Sequence, residues 1–110
     1  MIPTHKELHE FLLTFPGAVL DFPFGEDVAV YKVRDKMFAL VSEKSQPIRL
    51  SLKCDPTLAQ TLREKYETIM PGYHLNKKHW NTIILSGQLP WNEVQAFIRH
   101  SYDLVAGVNS

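Results

Sequence analysis

Few side chains in this sequence carry obvious chemistry, and their spacing is what decides between readings. His5 and His9 stand four residues apart, the separation at which two imidazoles on one helical face can share a zinc ion. A zinc hydrolase of that kind needs a glutamate directly after the first histidine, within reach of the metal-bound water. Lys6 occupies that position, Glu7 is displaced, and no third ligand lies nearby in sequence. An exposed helical face is therefore expected there rather than a metal site. Cys54 is the single cysteine, and it precedes Asp55-Pro56, an N-cap followed by proline at the first helical position. A helix N-terminus beside Lys53 could lower a thiol pKa. A nucleophile also needs a base, however, and nothing in the spacing sets His74, His79 or His100 beside it. Cys54 reads as structural.

The densest group of polar residues runs from Pro71 to Thr82, through Tyr73, His74, Leu75, Asn76, Lys77, Lys78, His79, Trp80 and Asn81, without one acid. That mixture suits nucleic acid: lysine neutralises phosphate, asparagine bonds phosphate or a base edge, and an aromatic ring stacks on a base. The alternative is structural. Trp80 opens an apolar run, Ile83-Ile84-Leu85, and should anchor the core between the last strand and a helix. His74 and Asn76 could equally satisfy backbone groups of a long turn. Glycine-rich phosphate loops, a G-x-S-x-G turn and paired-cysteine zinc spacings do not occur, so neither an enzyme nor a bound cofactor is expected.

Placing these residues requires the elements. Thr4 and Glu7 form a capping box, and Leu8, Phe11, Leu12 and Phe15 mark a first helix that runs to the Pro16-Gly17 stop. Residues 18–22 allow a short strand. Residues 28–33 and 36–42 read as a hairpin around Arg34-Asp35, whose turn type stays open because the pair is neither Asn-Gly nor Asp-Gly. Ile48, Leu50 and Leu52 alternate with Arg49, Ser51 and Lys53, the pattern of a strand with one buried face. A second helix follows Asp55 and ends near Tyr66. Short strands fall at 68–70 and 81–85, and Pro90 opens a third helix whose apolar side carries Trp91, Val94, Phe97, Ile98, Tyr102 and Val105. The order α-β-β-β-α-β-β-α, joined by hairpin-like connections, predicts an α+β fold with an antiparallel sheet and helices packed on one face.

Bulk properties agree with one domain over residues 1–110. The hydrophobic fraction is 45%, within the globular range. A lone cysteine, no basic-then-apolar leader and no long apolar run predict a cytoplasmic protein away from membranes. Net charge is zero from 12 basic and 12 acidic residues, which gives no global field toward nucleic acid. The distribution is uneven: residues 1–30 carry five acids against Lys6, whereas residues 31–54 carry six bases against Asp35 and Glu43.

The run Pro71 to Thr82 also resembles the YjbR/MmcQ-like family. Leu50-Ser51-Leu52-Lys53 before Asp55-Pro56, Ser86-Gly87-Gln88-Leu89-Pro90 and Ser101-Tyr102-Asp103-Leu104-Val105 look like its other landmarks, in order. The resemblance implies an α+β domain similar to the secretion chaperones, and it implies DNA binding through hairpins without catalytic residues. The expected partner is DNA, held chiefly by Lys77 and Lys78 with Arg49, Lys53, Asn76 and His79 as further contacts. The alternative is a protein- or peptide-binding module that uses an exposed sheet edge. A continuous positive stripe would favour the first, and a bare apolar patch or unpaired edge the second. An enzyme or small-ligand receptor would need a deep pocket around His74, His79 or Tyr102.

Overall fold

The computed structural model describes residues 2–72 and 75–107. The elements follow the expected order, and the short strand allowed at 18–22 is realised as an edge. They are α1 (His5–Leu13), β1 (Val19–Asp21), β2 (Val28–Val33), β3 (Lys36–Ser42), β4 (Ile48–Lys53), α2 (Pro56–Lys65), β5 (Ile69–Pro71), β6 (Trp80–Leu85) and α3 (Trp91–Ala106). Six strands form one sheet in the order β1-β2-β3-β4-β6-β5, and every neighbouring pair is antiparallel.

Local chemistry sets the ends of these elements. The capping box of α1 forms as read, Thr4 accepting from the Glu7 amide and Glu7 from the Thr4 amide. α2 starts where Asp55 accepts from the Thr57 and Leu58 amides, with Pro56 in its first turn. The β2–β3 hairpin turns through Arg34 (φ 53°) and Asp35 (φ 63°), the two left-handed residues of a type I′ turn. Side chains with a Cβ pay a steric penalty in that conformation, which Asn and Gly largely escape. Arg34→Asn/Asp35→Gly is therefore expected to stabilise the chain by about 1 to 2 kcal/mol, read as a higher urea midpoint at unchanged m-value.

Strand alternation sends Ala29, Tyr31 and Val33 of β2, Leu50 and Leu52 of β4, and Ile83 and Leu85 of β6 into one core, where they meet Leu8 and Leu12 of α1 and Val94, Ile98 and Val105 of α3. All three helices thus pack on one face. Between β2 and β3 the register steps from Tyr31↔Ala39 to Lys32↔Met37, which leaves Phe38 as an extra, bulged residue. The bulge turns Phe38 to the same side as Ala39. There it meets Phe15 and Tyr102 edge-on, and its carbonyl accepts from the fully buried Ser101 hydroxyl at 2.6 Å. Ser101 in turn accepts from the Lys53 amide at 2.9 Å. One serine of α3 thereby bridges β3 and β4 beyond their last ladder pair, Ala39↔Leu52.

The opposite face of the sheet has its own, smaller cluster. Val30, Leu40 and Trp80 are buried there, with Val28, Met37 and Leu75 partly buried against them. Trp80 is only 7% exposed, but it does not lie between a strand and a helix as expected. Trp80 and Ile83 are three residues apart on one strand, so the pleat must send them to opposite faces. Among the described residues no helix is long and apolar enough to cross a membrane.

Candidate functional site

The described residues of the polar run from Pro71 to Asn81 are largely engaged in holding its own backbone. Asn76 accepts from the Lys78 amide at 2.9 Å, an Asx turn. The Lys77 ammonium donates to the Gly72 carbonyl at 3.1 Å, and the His79 carbonyl accepts from the Cys54 amide at 2.7 Å. The Gly72 amide donates to the Trp80 carbonyl at 2.9 Å, and a Cβ at Gly72 would lie 2.7 Å from the Trp80 Cβ. Only glycine fits that approach.

Arg63, absent from the residues picked out in the sequence, organises the whole segment. Its Nε donates to the Asn81 side-chain oxygen at 2.6 Å and its guanidinium also reaches the carbonyls of Lys77 and Trp80. Asn81 completes the junction by donating to the Ala59 carbonyl of α2 at 3.2 Å. An arginine on a helix face seven residues after Pro56 carries no local signal for such a role.

The candidate contacts for nucleic acid fall in two places. Arg49 and Lys53 both point to the helix-free face of β4, opposite Ile84 and Trp80 of β6, about 13 Å apart along the strand. Lys78 is exposed beside α2, in a shallow groove with Thr57 and Arg63. Lys77 is tied to Gly72, and His79 is half-buried at the start of β6. His74 lies outside the described residues.

The other candidates are also engaged. His5 bonds the Ser42 carbonyl at 3.1 Å and His9 bonds Glu43 at 2.9 Å, so this half-buried pair fastens α1 to the end of β3 instead of facing solvent. Among the described residues no group of three or more His, Cys, Asp or Glu side chains could hold a metal. The fold brings the backbone of His79 and the ring of His100 to the Cys54-Asp55 junction, which sequence spacing did not reveal. His79 arrives through its carbonyl, and His100 accepts from the Asp55 amide through Nε2. Burial, reinforced by the Asp55 charge and only partly offset by Arg63, pushes the thiol pKa up to about 11. Cys54 is thus protonated at neutral pH and a poor nucleophile. Tyr102 is buried with its hydroxyl donating to the Pro16 carbonyl.

What the helix-free face does offer is a cleft of about 340 Å³, at the lower end of ligand-pocket sizes. Its apolar walls are Val28, Leu40 and Leu75, and Phe24 stands at the mouth, 62% exposed. Ser51 and Thr82, both buried and 2.8 Å apart through their hydroxyls, form the floor. Arg49 and Ser42 complete the rim. Beside the cleft, the edge strand and the loop after it leave Val19, Leu20, Phe22 and Phe24 exposed.

Sheet and helices together place the chain among α+β proteins that cover one face of an antiparallel sheet and leave the other open. A family model described as YjbR matches residues 13–104. The uncharacterized protein YjbR of Escherichia coli is 35% identical over 99 residues, a match that covers 90% of this chain and 84% of that one. The uncharacterized protein YbdF of Escherichia coli is 33% identical over 101 residues, covering 92% and 83%. A crystal structure from Deinococcus radiodurans matches with a TM-score of 0.92 at 38% identity, over 97% of this chain and 81% of that one. A second, from Pseudomonas syringae, gives 0.80 at 29%, over 94% and 99%. The chain belongs to the YjbR family.

Proposed function

We propose that this chain is a non-catalytic protein- or peptide-binding module whose working surface is the β1 edge and the apolar segment that follows it. The supporting observation is the run Val19, Leu20, Phe22 and Phe24, each at least 40% exposed, on the edge strand and the loop after it, with no described strand beyond that edge. An edge strand offers its outer N–H and C=O groups to an extended segment, and alternating apolar side chains add specificity. The cationic candidates support DNA less well, because Lys77 is engaged with Gly72 and Lys78 lines the groove beside α2, whereas Arg49 and Lys53 point to the helix-free face of β4. Selection from a random peptide library should enrich extended sequences with alternating apolar residues, and Leu20→Lys/Phe24→Ser should weaken their binding about tenfold or more, about 1.4 kcal/mol. Failure to enrich any sequence, or unchanged affinity in that variant, rejects the reading.

DNA binding remains the second reading, on the one observation that Arg49 and Lys53 share the helix-free face while Asp21 on that face is paired with Lys32 at 3.2 Å. It requires salt-sensitive association with duplex or single-stranded DNA. Arg49→Ala/Lys53→Ala should then flatten the slope of log affinity against log salt by about 2.

A further inference from the structure

We infer that the cleft in the helix-free face is a binding site for a small carboxylate with an apolar body, such as an arylalkanoic or branched-chain acid. This inference goes beyond the peptide reading: it concerns the middle of the sheet face and not the hydrogen-bonding edge of β1, and the two surfaces share Phe24. Three features select the ligand. The walls, Val28, Leu40 and Leu75 with Phe24 at the mouth, are apolar and would take a hydrocarbon or aryl group out of water. Arg49 is the one charged residue among the described residues of the lining, so the site favours an anion. Of the acids adjoining the cleft in sequence, Asp27 is paired with Lys44 at 3.0 Å and Glu43 with His9 at 2.9 Å.

Arginine suits a carboxylate because its planar fork matches both oxygens. With five N–H donors it can hold an anion alongside contacts within the chain. The Ser51 and Thr82 hydroxyls give the floor a polar spot amid apolar walls, the mixed lining that orients small ligands in pockets. The volume of about 340 Å³ suits a compact acid and excludes a folded partner.

The test titrates hydrocinnamate, and separately its neutral amide, into the intact chain while NMR follows the methyl groups of Val28, Leu40 and Leu75. The acid is expected to shift those methyls saturably and to bind about tenfold tighter than the amide. In Arg49→Gln that preference should fall to within about twofold, and in Leu40→Trp, which fills the cleft, both probes should lose binding. Unmoved methyls up to the solubility limit, or equal affinity of acid and amide for the unaltered chain, overturn the inference. The acid-to-amide comparison uses the unaltered chain, so it decides even if either variant fails to fold. Loss of peptide binding in Val19→Ser/Leu20→Lys, neither of which lines the cleft, with the Arg49-dependent preference intact would separate this site from the β1 surface.

Discussion

Trp80→Ala is expected to lower the stability of the chain by about 3 to 5 kcal/mol, the range for removing a large aromatic side chain from a packed site. Trp80 is 7% exposed, yet it belongs to the cluster on the helix-free face, with Val30 and Leu40 and the partly buried Val28, Met37 and Leu75. No helix covers that cluster, so the indole is itself much of what shields the sheet there. Its loss uncovers Val30 and Leu40 as well as leaving a void, and the lining relaxes only in part. Leu40 and Leu75 are also walls of the cleft, so hydrocinnamate binding should weaken in the same variant. Urea unfolding followed by far-UV circular dichroism measures the first effect. A midpoint within error of the unaltered chain would mean that the indole contributes no packing.

Arg63→Ala should cost about 3 kcal/mol, an effect large for a partly exposed arginine. The guanidinium satisfies the Asn81 side-chain oxygen and the carbonyls of Lys77 and Trp80, and Asn81 is 3% exposed. A buried acceptor left without a donor costs about 1 to 3 kcal/mol, which applies in full to the Asn81 oxygen and less to the exposed Lys77 carbonyl and to the Trp80 carbonyl, which keeps the Gly72 amide. Arg63→Lys should recover little, because one ammonium cannot reproduce a planar fork directed at three acceptors. Asn81→Ala removes one of those acceptors and also the donor to the Ala59 carbonyl. The Arg63→Ala and Asn81→Ala effects should therefore sum to more than the double variant shows, by about 1 kcal/mol or more. Strict additivity in denaturant unfolding would show that the two side chains act independently.

These two residues show how the resemblance-bearing segment and its structural role come apart. Trp80 was legible as a buried residue from the apolar run it opens. The face it occupies does not follow from that run, because three positions from Ile83 the pleat turns it to the side away from the helices. Arg63 was not legible at all. Its acceptors lie 14 to 18 residues away in sequence, and only the packing of α2 beside β6 brings them together. Lys77 shows the converse: a lysine in an acid-free turn reads as a phosphate contact, but its ammonium closes the loop onto Gly72.

The sequence by itself determined the caps, the order of the elements and the sidedness of most strands, as well as the segment that marks the family. Each depends on residues within a few positions of one another: Thr4 with Glu7, Asp55 with Pro56, the alternation of Ile48, Leu50 and Leu52 against Arg49, Ser51 and Lys53. Tertiary structure alone decided the Phe38 bulge, hidden inside the unbroken apolar run from Met37 to Val41. It also decided the Ser101 bridge across 48 and 63 residues, and the cleft. That cleft draws Phe24, Leu40, Arg49, Leu75 and Thr82 from separate segments, and their meeting follows from strand order and register. Periodicity assigns a residue to a face, whereas its neighbours on that face come from strands whose pairing is settled by the packing of the whole sheet.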